Sequence, residues 1–239
     1  QTETDADRLG QFGAGNIAVT GSVKFDIEPS ATALVKGMKL RECIGNRPVL
    51  MCASTRNGEE ARILDVLEQL DRNALLLLVP RHPQRFDDVA GMIRNRKIPM
   101  IRRSTLHDLF ANALSPDTRI LLGDSMGEMF MYYAACDIAF IGGSLEKLGG
   151  QNLIEACAVG KPVLIGPHTF NFEAITKDAI AAHAAIRITS ATELMQRANE
   201  LLSDRTLHQT MSDNALLFAE KQHGATERTL ELLIPLIEK

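Results

Sequence analysis

The stretch Ile138-Ala139-Phe140-Ile141-Gly142-Gly143-Ser144, continued by Gly149-Gly150-Gln151-Asn152-Leu153-Ile154-Glu155, decides the fold of this chain. Ile138 to Ile141 reads as a short apolar strand that runs into glycines, and Asn152 onward reads as a new helix. Glycines let a backbone approach a ligand closely, and free amides at a helix start attract anions. The segment therefore predicts a seat for the phosphate of a nucleotide sugar. The same order recurs upstream, where Ile120-Leu121-Leu122 leads into Gly123-Asp124-Ser125-Met126-Gly127-Glu128-Met129. Two glycine-marked strand ends facing one cleft predict a donor-binding domain.

Working outward, apolar runs alternate with amphipathic helical patterns. The predicted strands are Val49–Ala53, Leu75–Val79, Pro99–Arg102, Arg119–Leu122, Ile138–Ile141, Pro162–Ile165 and Ile186–Thr189. Ile63, Leu64, Leu67 and Leu70 fall on one helical face, as do Leu194, Met195, Ala198, Leu201 and Leu202. This alternation predicts an α/β, Rossmann-like parallel sheet with helices on both faces, whose ligands sit outside the carboxyl ends of the strands. A short helix is expected around Ala33–Ile44, and another over Thr226–Ile234, between breaks at Gly224 and Pro235. Ser190-x-x-Glu193 reads as a capping box.

Composition narrows the class. The chain has 239 residues, 45% hydrophobic and 23% charged, with a net charge of −4. That charge argues against a broad nucleic-acid surface, and no apolar run reaches the roughly 18 residues of a membrane helix. Cys43, Cys52, Cys136 and Cys157 are scattered without a C-x-x-C, and read as buried thiols of a cytoplasmic protein. Gln1 in place of an initiator Met, ahead of a polar and acidic opening, is read as the mark of a fragment. No spacing supports a metal site.

Four clusters at strand-to-helix turns carry the chemistry. Ser54-Thr55-Arg56-Asn57-Gly58-Glu59-Glu60 offers hydroxyls and amides to a phosphate, or simply caps a helix through Thr55 or Asn57. In Val79-Pro80-Arg81-His82-Pro83 the prolines stiffen the exit from a strand, and the Arg81 fork suits a phosphate or carboxylate, or else a surface ion pair. Ser125-x-x-Glu128 matches a capping box, while the Gly123–Gly127 backbone is suited to a base or ribose. Asn152 and Glu155 share the first turn of the expected helix, where a carboxylate accepts bonds from ribose hydroxyls.

The ordered set resembles the Kdo (3-deoxy-D-manno-oct-2-ulosonic acid) transferases of lipopolysaccharide synthesis. The resemblance is carried by Gln1-Thr2-Glu3-Thr4-Asp5-Ala6, Thr20-Gly21-Ser22-Val23-Lys24-Phe25-Asp26, Ser54 to Glu60, Val79 to Pro83, Gly123 to Glu128, Gly142-Gly143-Ser144, Gly149 to Glu155 and Gly166-Pro167-His168-Thr169-Phe170-Asn171-Phe172. Arg56 and Gln151 depart from it, each standing where the family pattern has His.

The resemblance implies the C-terminal half of a glycosyltransferase B fold, with CMP-Kdo as donor substrate and no cofactor or metal. Residues 1–29 would be the tail of an N-terminal domain and a linker, 30–222 the CMP-Kdo-binding domain, and 223–239 a C-terminal helix. The donor set would be Ser54, Gly58, Arg81, Gly123, Met126, Gly127, Glu128, Ser144, Gly149, Gly150, Asn152 and Glu155. Kdo would move, with inversion, to a lipid A precursor held by the other domain, which would also supply the base and the membrane contact at the cytoplasmic face of the bacterial inner membrane. The chain alone is then expected to bind donor without turnover. The rival readings are a UDP-sugar glycosyltransferase or epimerase of the same fold, and a non-catalytic nucleotide-binding module.

Overall fold

The computed structural model describes residues 1–106 and 113–237. Along the chain lie α1 (Glu3–Gln11), α2 (Ala31–Ile44), β1 (Val49–Thr55), α3 (Glu59–Asp65), β2 (Leu75–Pro80), α4 (Phe86–Asn95), β3 (Met100–Arg102), β4 (Ile120–Leu122), α5 (Met129–Ala135) and β5 (Ile138–Ile141). These are followed by α6 (Ile154–Cys157), β6 (Val163–Ile165), α7 (Glu173–Ala181), β7 (Ala185–Arg187), α8 (Ala191–Ser203), α9 (Arg205–Gln222) and α10 (Ala225–Ile237).

The strands form one seven-stranded sheet in the order β3-β4-β2-β1-β5-β6-β7, and every pair is parallel. This is the α/β architecture expected from the sequence. Strand parity assigns the two cores, because successive side chains leave a strand on opposite faces. Val49, Met51 and Ala53 of β1, with Leu75, Leu77 and Val79 of β2, pack with Leu40 of α2, Met131 of α5, Ile154 of α6 and Phe218 of α9. Leu50, Cys52, Leu76 and Leu78 pack with Ile63 of α3, Val89 of α4 and Leu194 of α8. Strands covered on both faces must be apolar at every position, which is why they read as continuous runs.

Several local expectations are corrected. The face of Ile63, Leu64, Leu67 and Leu70 is buried throughout, but α3 ends at Asp65 and the last two residues belong to a 3₁₀ turn and its exit. Pro235 lies inside α10 rather than ending it. Its missing N–H forfeits only the bond to the Glu231 carbonyl, in the final turn. At α8 half of the capping box forms: Ser190 accepts from the Glu193 amide, while the Glu193 carboxylate reaches back to the amide and hydroxyl of Thr189. All four cysteines are buried thiols. Asp26 accepts from the amides of Gly224, Ala225 and Thr226, tying the segment before α2 to the start of α10.

Candidate functional site

β1 sends its successor β2 to one side and has β5 on the other, so the sheet changes direction between β1 and β5. A crevice at such a switch point is where ligands of open parallel sheets bind. Its walls are the loop after β1, residues 54–58, and the loop after β5, residues 142–153. Gly142 must be glycine because a Cβ there would lie 2.6 Å from the Ser54 carbonyl oxygen and the Thr55 Cα. Ser54 takes a left-handed φ of +53° where the β1–β2 register shifts.

The loops are locked together by a buried carboxylate. Glu59 stands in the first turn of α3, where acids usually face solvent, yet it is fully buried. Its carboxylate accepts from the amides of Arg56 at 2.8 Å, Gly143 at 2.6 Å, Ser144 at 3.0 Å and Leu145 at 2.9 Å. Burial pushes the Glu59 carboxyl above its ordinary range, opposed by these backbone bonds. The amides of Gly143, Ser144 and Leu145, expected to face a ligand phosphate, are thus used internally. Glu60 is buried beside it, accepting from the Thr55 hydroxyl at 3.1 Å and paired with Arg85 at 3.1 Å. Gly58, not Thr55 or Asn57, stands at the start of α3, with a φ of +96° and no side-chain cap.

The remaining members of the expected donor set divide. Arg81 is exposed, with its amide bound to the Thr55 carbonyl at 3.0 Å. Its positive charge partly offsets the burial that pushes the Glu155 carboxyl upward. Asn152 accepts from the Ile154 amide at 3.0 Å in a tight turn. The helix after it, α6, spans only Ile154–Cys157, shorter than expected. Gly149 and Gly150 hold φ values of +87° and +76° against the 168–171 loop. Ser144 is fully enclosed: its hydroxyl donates to the Ile141 carbonyl and accepts from the Gly166 amide at 2.8 Å. It offers a ligand no surface.

The loop after β4 is equally anchored. Gly123 is buried against Val79 and the Tyr132 ring, Gly127 has a φ of +74°, and Met126 is 59% exposed. The expected capping box at Ser125 is absent: the hydroxyl bonds the Glu128 carboxylate, and α5 opens without a side-chain cap. Glu128 instead pairs with Arg103 at 2.8 Å, and Asp124 with Arg102 at 2.5 Å and the Ser104 amide at 2.8 Å. Sequence reading missed Arg102, Arg103 and Asp124. The Arg102-Arg103 doublet at a strand end was the available signal. Arg56 and Gln151, the two departures from the family pattern, both border Gly143: a Cβ built there lies 3.4 Å from Arg56 Cγ and 3.3 Å from Gln151 Nε2.

The fold defines an α/β domain of the glycosyltransferase B type. The family described as "Glycosyl transferases group 1" matches residues 80–217, and the chain belongs to it. Within that family it is homologous to 3-deoxy-D-manno-octulosonic acid transferases. It is 44% identical to that of Bordetella pertussis, covering 98% of this chain and 55% of the relative. It is 38% identical to that of Haemophilus influenzae, covering 92% and 52%. The chain thus spans about half the length of these relatives. Among solved structures, the C-terminal CMP-Kdo binding domain of WaaA from Acinetobacter baumannii superposes with a TM-score of 0.73 at 29% identity, covering 79% of this chain and 98% of that one. HepE of Anabaena with UDP and glucose, at 17% identity and a TM-score of 0.61, shares the fold.

Proposed function

We propose that this chain is the donor-binding half of a Kdo transferase and that its crevice binds CMP-Kdo. The observation that carries the reading is the likeness to the Acinetobacter CMP-Kdo binding domain, which this chain covers over 98% of that domain's length. The residues agree with the chemistry. On this reading Arg81 meets the phosphate of the leaving CMP, and Glu155, whose carboxyl feels the Arg81 charge, accepts from the ribose hydroxyls. Gly149, Gly150, Gly58 and Gly127 keep the walls open, while Gly123, Met126, Glu128 and Asn152 form the rim toward the nucleotide. Ser54 and Ser144 shape the crevice from behind.

In the reaction, an acceptor hydroxyl of a lipid A precursor attacks the anomeric carbon of Kdo. The carbon–oxygen bond to the phosphate breaks, CMP departs with the electron pair, and a base takes the acceptor proton. We assign acceptor, base and membrane contact at the cytoplasmic face of the inner membrane to a second lobe. Residues 1–29 are then the tail of that lobe and a linker, 30–222 the donor domain and 223–239 a C-terminal helix, of which 238 and 239 lie outside the described residues. On this assignment the chain alone binds without turnover. Among the described residues, no helix is long and apolar enough to cross a membrane.

Calorimetric titration with CMP, UMP and UDP tests the reading. Selective CMP binding is expected, weakened by Arg81→Ala by about 1.5–3 kcal/mol, the range of a charge-assisted hydrogen bond. Selectivity for UDP would overturn it, as would unchanged affinity in folded Arg81→Ala and Glu155→Ala proteins.

A further inference from the structure

Arg56 and Gln151 arise 95 positions apart, from the loops after β1 and β5, and the fold brings Arg56 Cγ and Gln151 Nε2 each to within 3.4 Å of where a Cβ on Gly143 would stand. Other arginines at this edge of the sheet are already committed: Arg85, Arg102 and Arg103 are each bound to a carboxylate. Among the described residues the Arg56 guanidinium has no such partner in the chain. Its root is nonetheless fixed, since its amide donates to Glu59 at 2.8 Å and its carbonyl accepts from the Glu59 amide at 3.1 Å. This is an unneutralised planar cation on a rigid base, carried by a side chain whose Cγ borders Gly143 as the Gln151 amide does.

The amides below it cannot serve an anion, because Glu59 occupies those of Gly143, Ser144 and Leu145. A second negative group lying against this part of the wall is therefore left to side chains. The donor read above carries two: the phosphate linking nucleoside and sugar, and the carboxylate of the sugar acid itself. Gly150, which that reading places against the donor, donates its amide to the Gly143 carbonyl at 2.7 Å, so the Gly143 wall adjoins the donor site.

We propose that Arg56, with the Gln151 amide beside it, is a specificity-determining pair that grips the sugar carboxylate of the donor. This rests on the CMP-Kdo reading. A guanidinium holds a carboxylate through two parallel N–H bonds. A nucleotide sugar without an acid group would leave that cation without a partner, which selects against neutral sugars.

The test compares CMP with freshly synthesised CMP-Kdo on the chain, by competition binding, for the native protein, Arg56→Gln, Arg56→Lys and Arg81→Ala. Arg56→Gln is expected to weaken CMP-Kdo roughly 10- to 150-fold while changing CMP less than about twofold. Arg56→Lys should recover part of the loss, and Arg81→Ala should weaken both ligands. The thermal midpoint of Arg56→Gln should stay unchanged, because only the Arg56 backbone serves Glu59. Equal loss of CMP and CMP-Kdo in Arg56→Gln would overturn the carboxylate assignment, as would no loss of either. If the native chain prefers UDP or binds neither ligand, the donor reading itself fails and the inference with it.

Discussion

Two glycines in this crevice are present for different physical reasons, and substitution separates them. Gly142 is closed by packing, with the β1 backbone 2.6 Å from where a Cβ would stand. Gly127 has nothing within 4 Å and is set instead by its φ of +74°. Gly142→Ala should cost about 1–3 kcal/mol of overpacking, with Gly142→Asn costing at least as much. At Gly127 the penalty of roughly 1–2 kcal/mol for Ala should shrink for Asn, which tolerates left-handed backbone. Urea unfolding of the four variants checks both. An Asn at position 142 that was better tolerated than Ala would refute the packing account. Glu59 shows what sequence hides at this scale. Its partners Gly143 to Leu145 lie more than 80 positions away, and nothing local distinguishes it from an ordinary helix-start acid.

The clasp at α10 belongs to the scale of elements. The Thr226 side chain and the amides of Thr226, Gly224 and Ala225 lower the Asp26 carboxyl from 3.8 to about 2 against the penalty of burial. A carboxyl whose folded value is depressed lends stability above its unfolded value and loses it as pH falls toward the folded one. That contribution is therefore full above about pH 3.8 and gone below about 2. Asp26→Asn keeps an acceptor but removes the titration, so its thermal midpoint should fall less steeply across that window, as measured by circular dichroism. An identical slope would place the acid sensitivity elsewhere. The elements were largely legible: β5 matches Ile138–Ile141, and six other apolar runs mark the remaining strands to within a few residues. Strand ends drifted at Pro99 and Pro162, where a proline cannot donate to the ladder. The short α6 was not legible, because the tight turn of Asn152 that precedes it has the composition of a helix start.

Across the whole molecule, stability resides in the covered sheet. Leu77 in β2 is fully buried, whereas Leu236 in α10 is 68% exposed. Leu77→Ala should cost about 2–5 kcal/mol, and Leu236→Glu no more than about 0.5 kcal/mol. Chemical denaturation compares the two, and a large loss from Leu236→Glu would show that α10 is integral to the core. Periodicity made the sheet readable from one end of the chain to the other. The charge network around Asp124 and Glu128 was not, since it depends on which strand edges meet. The Glu59 plug has one further consequence. In many phosphate sites the guest's own charge organises the loop that holds it, so entry carries an ordering cost. Here a resident carboxylate has already set that loop, and the crevice is a finished mould before anything enters. Association should then proceed without a slow rearrangement, and the hydrogen exchange of the Gly143, Ser144 and Leu145 amides should be as slow in the empty protein as in the filled one.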